Sequence, residues 1–194
     1  MPSRPSPAST RSVARPTTPR VVLTAPTARD RELFLAHVAR SRSLHRPWVR
    51  PPPTPAAFAS YLRRCRSDDF VSYWVRAADD DTLIGVYNIS QIFYGSFQSA
   101  YMGYYAFADT HGRGLMSAGL RLVLRQIFGP LRLHRIEANI QPQNTASIAL
   151  VRRAGFQCEG MSRRYLKISG RWRDHERWAL LKEDWRRPRT ATDA

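Results

Sequence analysis

Lysine is nearly missing from this chain: Lys167 and Lys182 are the only two, although Lys and Arg together number 31 against 15 Asp and Glu. The formal charge of +16 is therefore carried almost entirely by arginine. Such a balance favours anionic partners, nucleic acid and phosphorylated cofactors among them. Part of it belongs to Arg4, Arg11, Arg15 and Arg20, which are expected to lie in a tail without a packing role. Cysteine is scarce as well. Cys65 and Cys158 are too few for a disulfide framework and have no His or Cys at zinc-finger spacing, so both read as packing thiols of a reducing cytoplasm. No apolar run approaches the ~20 residues that span a bilayer. Acidic and large apolar residues are absent or sparse in "MPSRPSPASTRSVARPTTPR", where the prolines spoil a transit helix and a signal-peptide core is lacking. Residues 1–20 are therefore expected to be a disordered basic tail, residues 21–186 one domain, and residues 187–194 a second short tail. A hydrophobic share of 43% and an aromatic share of 11% supply the core.

What is present has a clear order. "RVVLTAP" reads as a short strand ended by Pro26. "TARDRELFLAHVARSR" follows as a helix with Thr27 as its cap. The prolines of "HRPWVRPPPTP" make a stiff loop, and "PAAFASYLRRCR" is a second helix. The period then changes. "DFVSYWVRAADDDTLIGVYNISQIF" gives two strands around Asp79–Asp81, and "QSAYMGYYAF" a third. A glycine turn opens a helix that runs to Phe128 and is stopped by Gly129–Pro130. "HRIEANI" is a strand, "NTASIALVRRAG" a helix capped by Asn144, and a hairpin around Ser169–Gly170 closes the domain.

Two stretches carry chemistry. In "THGRGLMSAGLRLVLRQIF" a strand leads through Gly112 and Gly114 into a helix. The first N–H groups of a helix have no internal partner and carry partial positive charge, so this start suits an anion. Arg113 adds a cation. A packing turn explains the glycines equally well, and the later Gly of a dinucleotide fingerprint and the Gly-Lys of a P-loop are both missing. In "NTASIALVRRAGF", Asn144 and Ser147 lie one turn apart on the same side. They form either a functional pair or a plain cap.

These two stretches resemble the GCN5-related N-acetyltransferases, and within them the branch acting on N-terminal amines of ribosomal proteins. "HGRGLM" is similar to the Q/R-x-x-G-x-G/A pyrophosphate loop, and "NTASIALVRRAGF" to the later N-x-x-S motif. "GYYAFADTHGRGLM", "HRIEANIQPQN" and "GRWRDH" fit the ribosomal-protein-alanine branch. The resemblance implies an α/β fold (α+β mixed): a mostly antiparallel sheet of about seven strands with one splayed parallel pair, flanked by about four helices. It implies acetyl-CoA as co-substrate and no metal. His111, Gly112, Arg113, Gly114, Leu115 and Met116 would hold the pyrophosphate, with His111 and Met116 departing from the usual residues. Backbone N–H groups near Tyr105, Ala106 and Phe107 would polarise the thioester carbonyl. Ser147 would protonate the leaving thiolate, because Val151 stands where some relatives have a Tyr acid. Asn144 would hold the carrier arm, Glu137 would be the base directly or through water, and Trp48, Tyr104 and Asn139 would line the acceptor. The alternative for Glu137 is pairing with an arginine, and Asp174 and His175 read as a structural pair closing the last hairpin.

The expected partner is a protein N-terminus, with ribosome association through the basic surface and a monomer or homodimer in the cytoplasm. Two alternatives stay open: a small amine as acceptor on the same fold, and a basic RNA- or ribosome-binding protein with vestigial catalysis.

Overall fold

The computed structural model describes residues 20–110 and 112–185; both expected tails, apart from Arg20, and His111 lie outside them. The elements are β1 (Val21–Thr24), α1 (Arg31–Arg40), α2 (Arg42–His45), α3 (Pro55–Arg64), β2 (Phe70–Ala77), β3 (Leu83–Phe93) and β4 (Ser99–Ala106), followed by α4 (Leu115–Phe128), β5 (Arg135–Ile140), α5 (Thr145–Arg153), β6 (Gln157–Ile168) and β7 (Arg171–Leu181). The expected order of strands and helices is reproduced. The addition is α2, a helix of four residues.

All seven strands form one sheet in the order β1-β2-β3-β4-β5-β7-β6. Every pair is antiparallel except β4–β5. A parallel pair needs a long crossover, and α4 supplies it. The parallel register is brief: Ser99↔Arg135, Ala100↔Ile136 and Tyr101↔Glu137. Beyond Tyr101 the two strands separate, and residues 102–106 keep β3 as their only strand partner.

Two apolar cores flank the sheet. On one face Val75, Ile84, Tyr87 and Met102 pack against Leu120, Val123 and Leu124 of α4. On the other, Trp74, Val86, Tyr105 and Phe107 pack against Phe34 and Val38 of α1 and Phe58 of α3. Because β2, β3 and β4 are covered on both faces, their sequences run nearly continuously apolar rather than alternating. Gly119 brings α4 close to the sheet, since a Cβ there would sit 2.6 Å from Val75 Cγ2.

The corner between α1 and α2 is laced to the end of β4. Arg40 Nε donates to Asp109 Oδ2 at 3.2 Å, the Ala108 N–H to Ser41 Oγ at 2.9 Å, and the His45 ring contacts the Ala106 carbonyl at 2.9 Å. The last hairpin is held differently. Asp174 Oδ1 accepts the Arg164 N–H at 2.7 Å across a register shift between β6 and β7. His175 points its Nδ1 at the Arg173 carbonyl, 3.0 Å away.

Candidate active site

A cavity of about 680 Å³ opens where β5 leaves β4. Its floor is Tyr104, Tyr105 and Ala106 of β4. One wall is the glycine turn with the first residues of α4, another the first turn of α5 with Asn144 and Ser147, and the third comes from α2 and the Pro-rich loop with His45 and Trp48.

The glycine turn has a definite geometry. Gly112 has φ +77° and Gly114 φ +74°, a region open to glycine and costly for other residues. A Cβ at either position would meet nothing within 4 Å. Backbone conformation, and not close packing, is therefore what demands glycine. Gly114 is the N-cap of α4, so no side chain caps that helix, and the first intrahelical bond is Ala118 N–H to the Gly114 carbonyl at 3.1 Å. The N–H groups ahead of it remain directed at the turn. Thr110 steadies the approach by donating Oγ1 to the Ile84 carbonyl at 3.1 Å, and the Tyr87 hydroxyl holds the Met116 carbonyl at 2.8 Å. The Met116 side chain lies over Gly85, where a Cβ would come within 2.5 Å of its Sδ.

On the opposite wall Asn144 caps α5: its Oδ1 accepts the Ser147 N–H at 3.2 Å. The plain-cap reading of that pair thus holds for the backbone, while both residues also line the cavity. The Tyr104 hydroxyl donates to the Ser147 carbonyl at 3.2 Å, and burial pushes its ionisation far above the ordinary phenol range. Val151 is fully buried and offers nothing to the site.

The N–H donors on β4 can be sorted by parity. The Phe107 N–H is bonded to the Ile84 carbonyl at 2.9 Å, so Phe107 is corrected as an oxyanion donor: its N–H faces β3. Strand alternation turns the Ala106 N–H and carbonyl the other way, into the gap left by β5. The carbonyl reaches His45; the N–H is directed at the cavity.

Of the residues singled out from sequence, the cavity gathers Trp48, Tyr104, Tyr105, Ala106, Gly112, Gly114, Leu115, Met116, Asn144 and Ser147. Arg113 does not line it; the cation that does is Arg153, at the end of α5. Glu137 and Asn139 share a face of β5, as period two requires, but neither lines the cavity. Glu137 accepts Arg135 Nε at 2.7 Å, and Arg135 also forks onto Glu159, so the pairing alternative for Glu137 is the one the structure contains. Sequence reasoning missed His45 and Arg153. His45 had no periodic signal in its short helix, and Arg153 looked like one more arginine on a solvated face.

A mixed sheet with one splayed parallel pair, an uncapped glycine-led helix start beside the splay, and a free backbone donor between them define an acyl-transferase class of fold and site. The profile of the acetyltransferase (GNAT) domain matches residues 20–157, and the chain belongs to that family. It is an acetyl-CoA-dependent N-acetyltransferase. Probable N-acetyltransferase YjcK of Bacillus subtilis (strain 168) is 39% identical over 124 residues, covering 64% of this chain and 68% of the relative. The [ribosomal protein uS5]-alanine N-acetyltransferase of Escherichia coli (strain K12) is 41% identical over 107 residues, which is 55% of each chain. Among solved structures, Mycobacterium smegmatis RimJ in complex with CoA-disulfide superposes with a TM-score of 0.80 at 27% identity, covering 89% of this chain and 86% of that one. No helix among the described residues is long and apolar enough to cross a membrane.

Proposed function

We propose that the protein transfers the acetyl group of acetyl-CoA to the N-terminal α-amine of a protein, a ribosomal protein beginning with Ala or Ser. The observation that carries the donor half is the cavity joining the open Gly112–Gly114 turn to the outward face of Ala106. The acceptor half rests on likeness to the alanine N-acetyltransferase of ribosomal protein uS5.

The residues present fit the donor. The N–H groups at the Gly112–Met116 helix start suit a pyrophosphate, with Arg153 as the cation on the same cavity. His111 adjoins this turn but lies outside the described residues. Asn144 retains its Nδ2 for an amide carbonyl of the carrier arm, and Ser147, which lines the same cavity, is the proton donor to the departing sulfur in this reading. Acetyl-CoA supplies an acyl group already activated as a thioester. The Ala106 N–H is the donor for the carbonyl oxygen, with Tyr104 and Trp48 as walls. An α-amine with pKa near ~8 needs less help to lose its proton than a lysine near ~10.4, which suits a site with one modest base. The basic surface suits a substrate embedded in RNA.

Free-thiol release from acetyl-CoA tests the reading. The acceptors are peptides beginning Ala, Ser and Met, a blocked lysine peptide, and several small amines. Turnover confined to free N-termini, Ala and Ser foremost, is the expected result; turnover on small amines alone overturns the acceptor assignment. Gly114→Ala is expected to raise the KM for acetyl-CoA about tenfold with little change in kcat. A non-glycine residue in the left-handed region costs ~1–2 kcal/mol and depopulates the binding turn by that factor. An unchanged KM would show that the turn does not meet the donor.

A further inference from the structure

His45 is held more firmly than a core histidine requires. It is 5% exposed and ends α2, where its own carbonyl accepts the Trp48 N–H at 2.7 Å and the Val49 N–H at 2.9 Å. Its ring stands edge-on to Tyr105, with centroids 5.4 Å apart, and to Phe107 at 6.0 Å. Nε2 lies 2.9 Å from the Ala106 carbonyl. A carbonyl only accepts, so Nε2 must carry the hydrogen and Nδ1 the lone pair. Nδ1 has no partner among the described residues, and His45 lines the cavity. Ala106 is thereby shared: its N–H turns toward the cavity, and its C=O fixes the tautomer of the imidazole beside it.

We propose that His45 is the general base of the transfer, taking a proton from the acceptor amine on Nδ1. This rests on the acetyl-transfer reading above and names a group for the step which that reading leaves open. An N-terminal ammonium gives one proton to Nδ1, and the imidazolium passes it to water. The amine lone pair then forms the C–N bond, the C–S bond breaks, and the second proton ends on the sulfur. One proton is released for each amide made.

The other bases considered are placed elsewhere. Glu137 is bound to Arg135, and neither it nor His175 lines the cavity. His37 faces Arg40 and Asp109 on the far side of the α1–α2 corner. The titratable or charged groups on the elements around His45 include His37 and Arg40 on α1, Arg42 on its own helix, Arg46 next in the chain, Tyr101, Tyr104 and Tyr105 on β4, Asp109 beyond β4 and Arg153 across the cavity; of these, Tyr105 makes the ring contact found among the described residues. Burial lowers the imidazole below its ordinary range, opposed by the Ala106 carbonyl. The neutral, proton-accepting form therefore persists to lower pH than in a free histidine, and activity should fall only as pH drops through that lowered value.

Two measurements on the full chain test this. The first follows the His45 ring by NMR titration without acetyl-CoA and compares it with the acid limb of the wild-type kcat/KM profile, which reports the free enzyme. The two inflections are expected to coincide below the ordinary imidazole value; a kcat/KM profile without an inflection at the NMR value overturns the proposal. The second compares wild type with His45→Gln, whose amide N–H can still reach the Ala106 carbonyl but cannot take a proton. His45→Gln is expected to bind acetyl-CoA normally, to lose about 10²-fold or more in kcat, and to become faster with rising hydroxide. A variant within about threefold of wild type, far short of the loss of a general base, would mean that His45 only ties α2 to β4. Wild-type protein inert toward every amine would instead overturn the transfer reading itself.

Discussion

Ala106→Pro is expected to fold, to bind acetyl-CoA and to be nearly inactive. Proline deletes one N–H and leaves the carbonyl that holds His45. Within a strand it is tolerated where the N–H points away from the neighbouring strand. Ala106 meets that condition, because Phe107 donates to Ile84 and the β4–β5 register has already ended at Tyr101. Proline also confines the preceding residue to extended conformations, which Tyr105 already occupies in β4. Removing one donor from an oxyanion site costs about 10²–10³ in kcat, or ~2.7–4 kcal/mol of transition-state stabilisation. Circular dichroism and acetyl-CoA affinity should change little, so the loss belongs to the chemical step. Phe107→Pro is the contrast, since it removes the bond to Ile84 and is expected to lose the fold. Full activity in Ala106→Pro would place the donor elsewhere.

Phe34→Ala is expected to cost the most stability. Phe34 is fully buried and lies among four rings: Phe58 at 5.1 Å, Tyr61 at 6.2 Å, Trp74 at 5.1 Å and Phe107 at 6.0 Å between centroids. It joins α1 and α3 to β2 and to the segment leaving β4. Truncating such a ring removes its burial and leaves a cavity, together ~3–5 kcal/mol. That is a large fraction of the ~5–15 kcal/mol by which most domains are stable. A denaturant midpoint that falls at constant slope would register it. Phe93, 55% exposed at the end of β3, is the control, and Phe93→Ala should stay within about 0.5 kcal/mol. Because α2 continues directly from α1, Phe34→Ala should also lower activity well below its unfolding temperature.

How far the sequence could be read depended on the length of the repeating signal. The strands from Phe70 to Ala106 and the long helix to Phe128 were legible because short β-branched and aromatic runs bounded by turn residues give way to a 3.6-residue period across a glycine turn. The four-residue α2 was not, since barely one turn carries no periodicity. Its histidine is joined to β4 by a bond across 61 positions, a tie that only the folded corner reveals. Which backbone N–H between Tyr105 and Phe107 turns toward the gap was out of reach for another reason: it depends on the register with β3. Glu137 is the reverse case. Period two puts Arg135 beside it on the same strand face, so its partner was within reach of the rule that suggested its function. For the cation, proximity in sequence pointed to Arg113 between the glycines, whereas the arginine that lines the cavity is Arg153, from the last turn of α5.

The overlap of Met116 with the space above Gly85 has a consequence for how this sequence can drift. With methionine at 116, any side chain at 85 collides with sulfur on one side and with the Tyr105 carbonyl, 2.6 Å from the would-be Cβ, on the other. A smaller residue at 116 relieves only the first collision. Position 85 is thus bound to glycine by an immovable backbone atom, while position 116 is free to vary in size because of it. Inheritance at the two sites is one-sided: the glycine permits the methionine and does not depend on it.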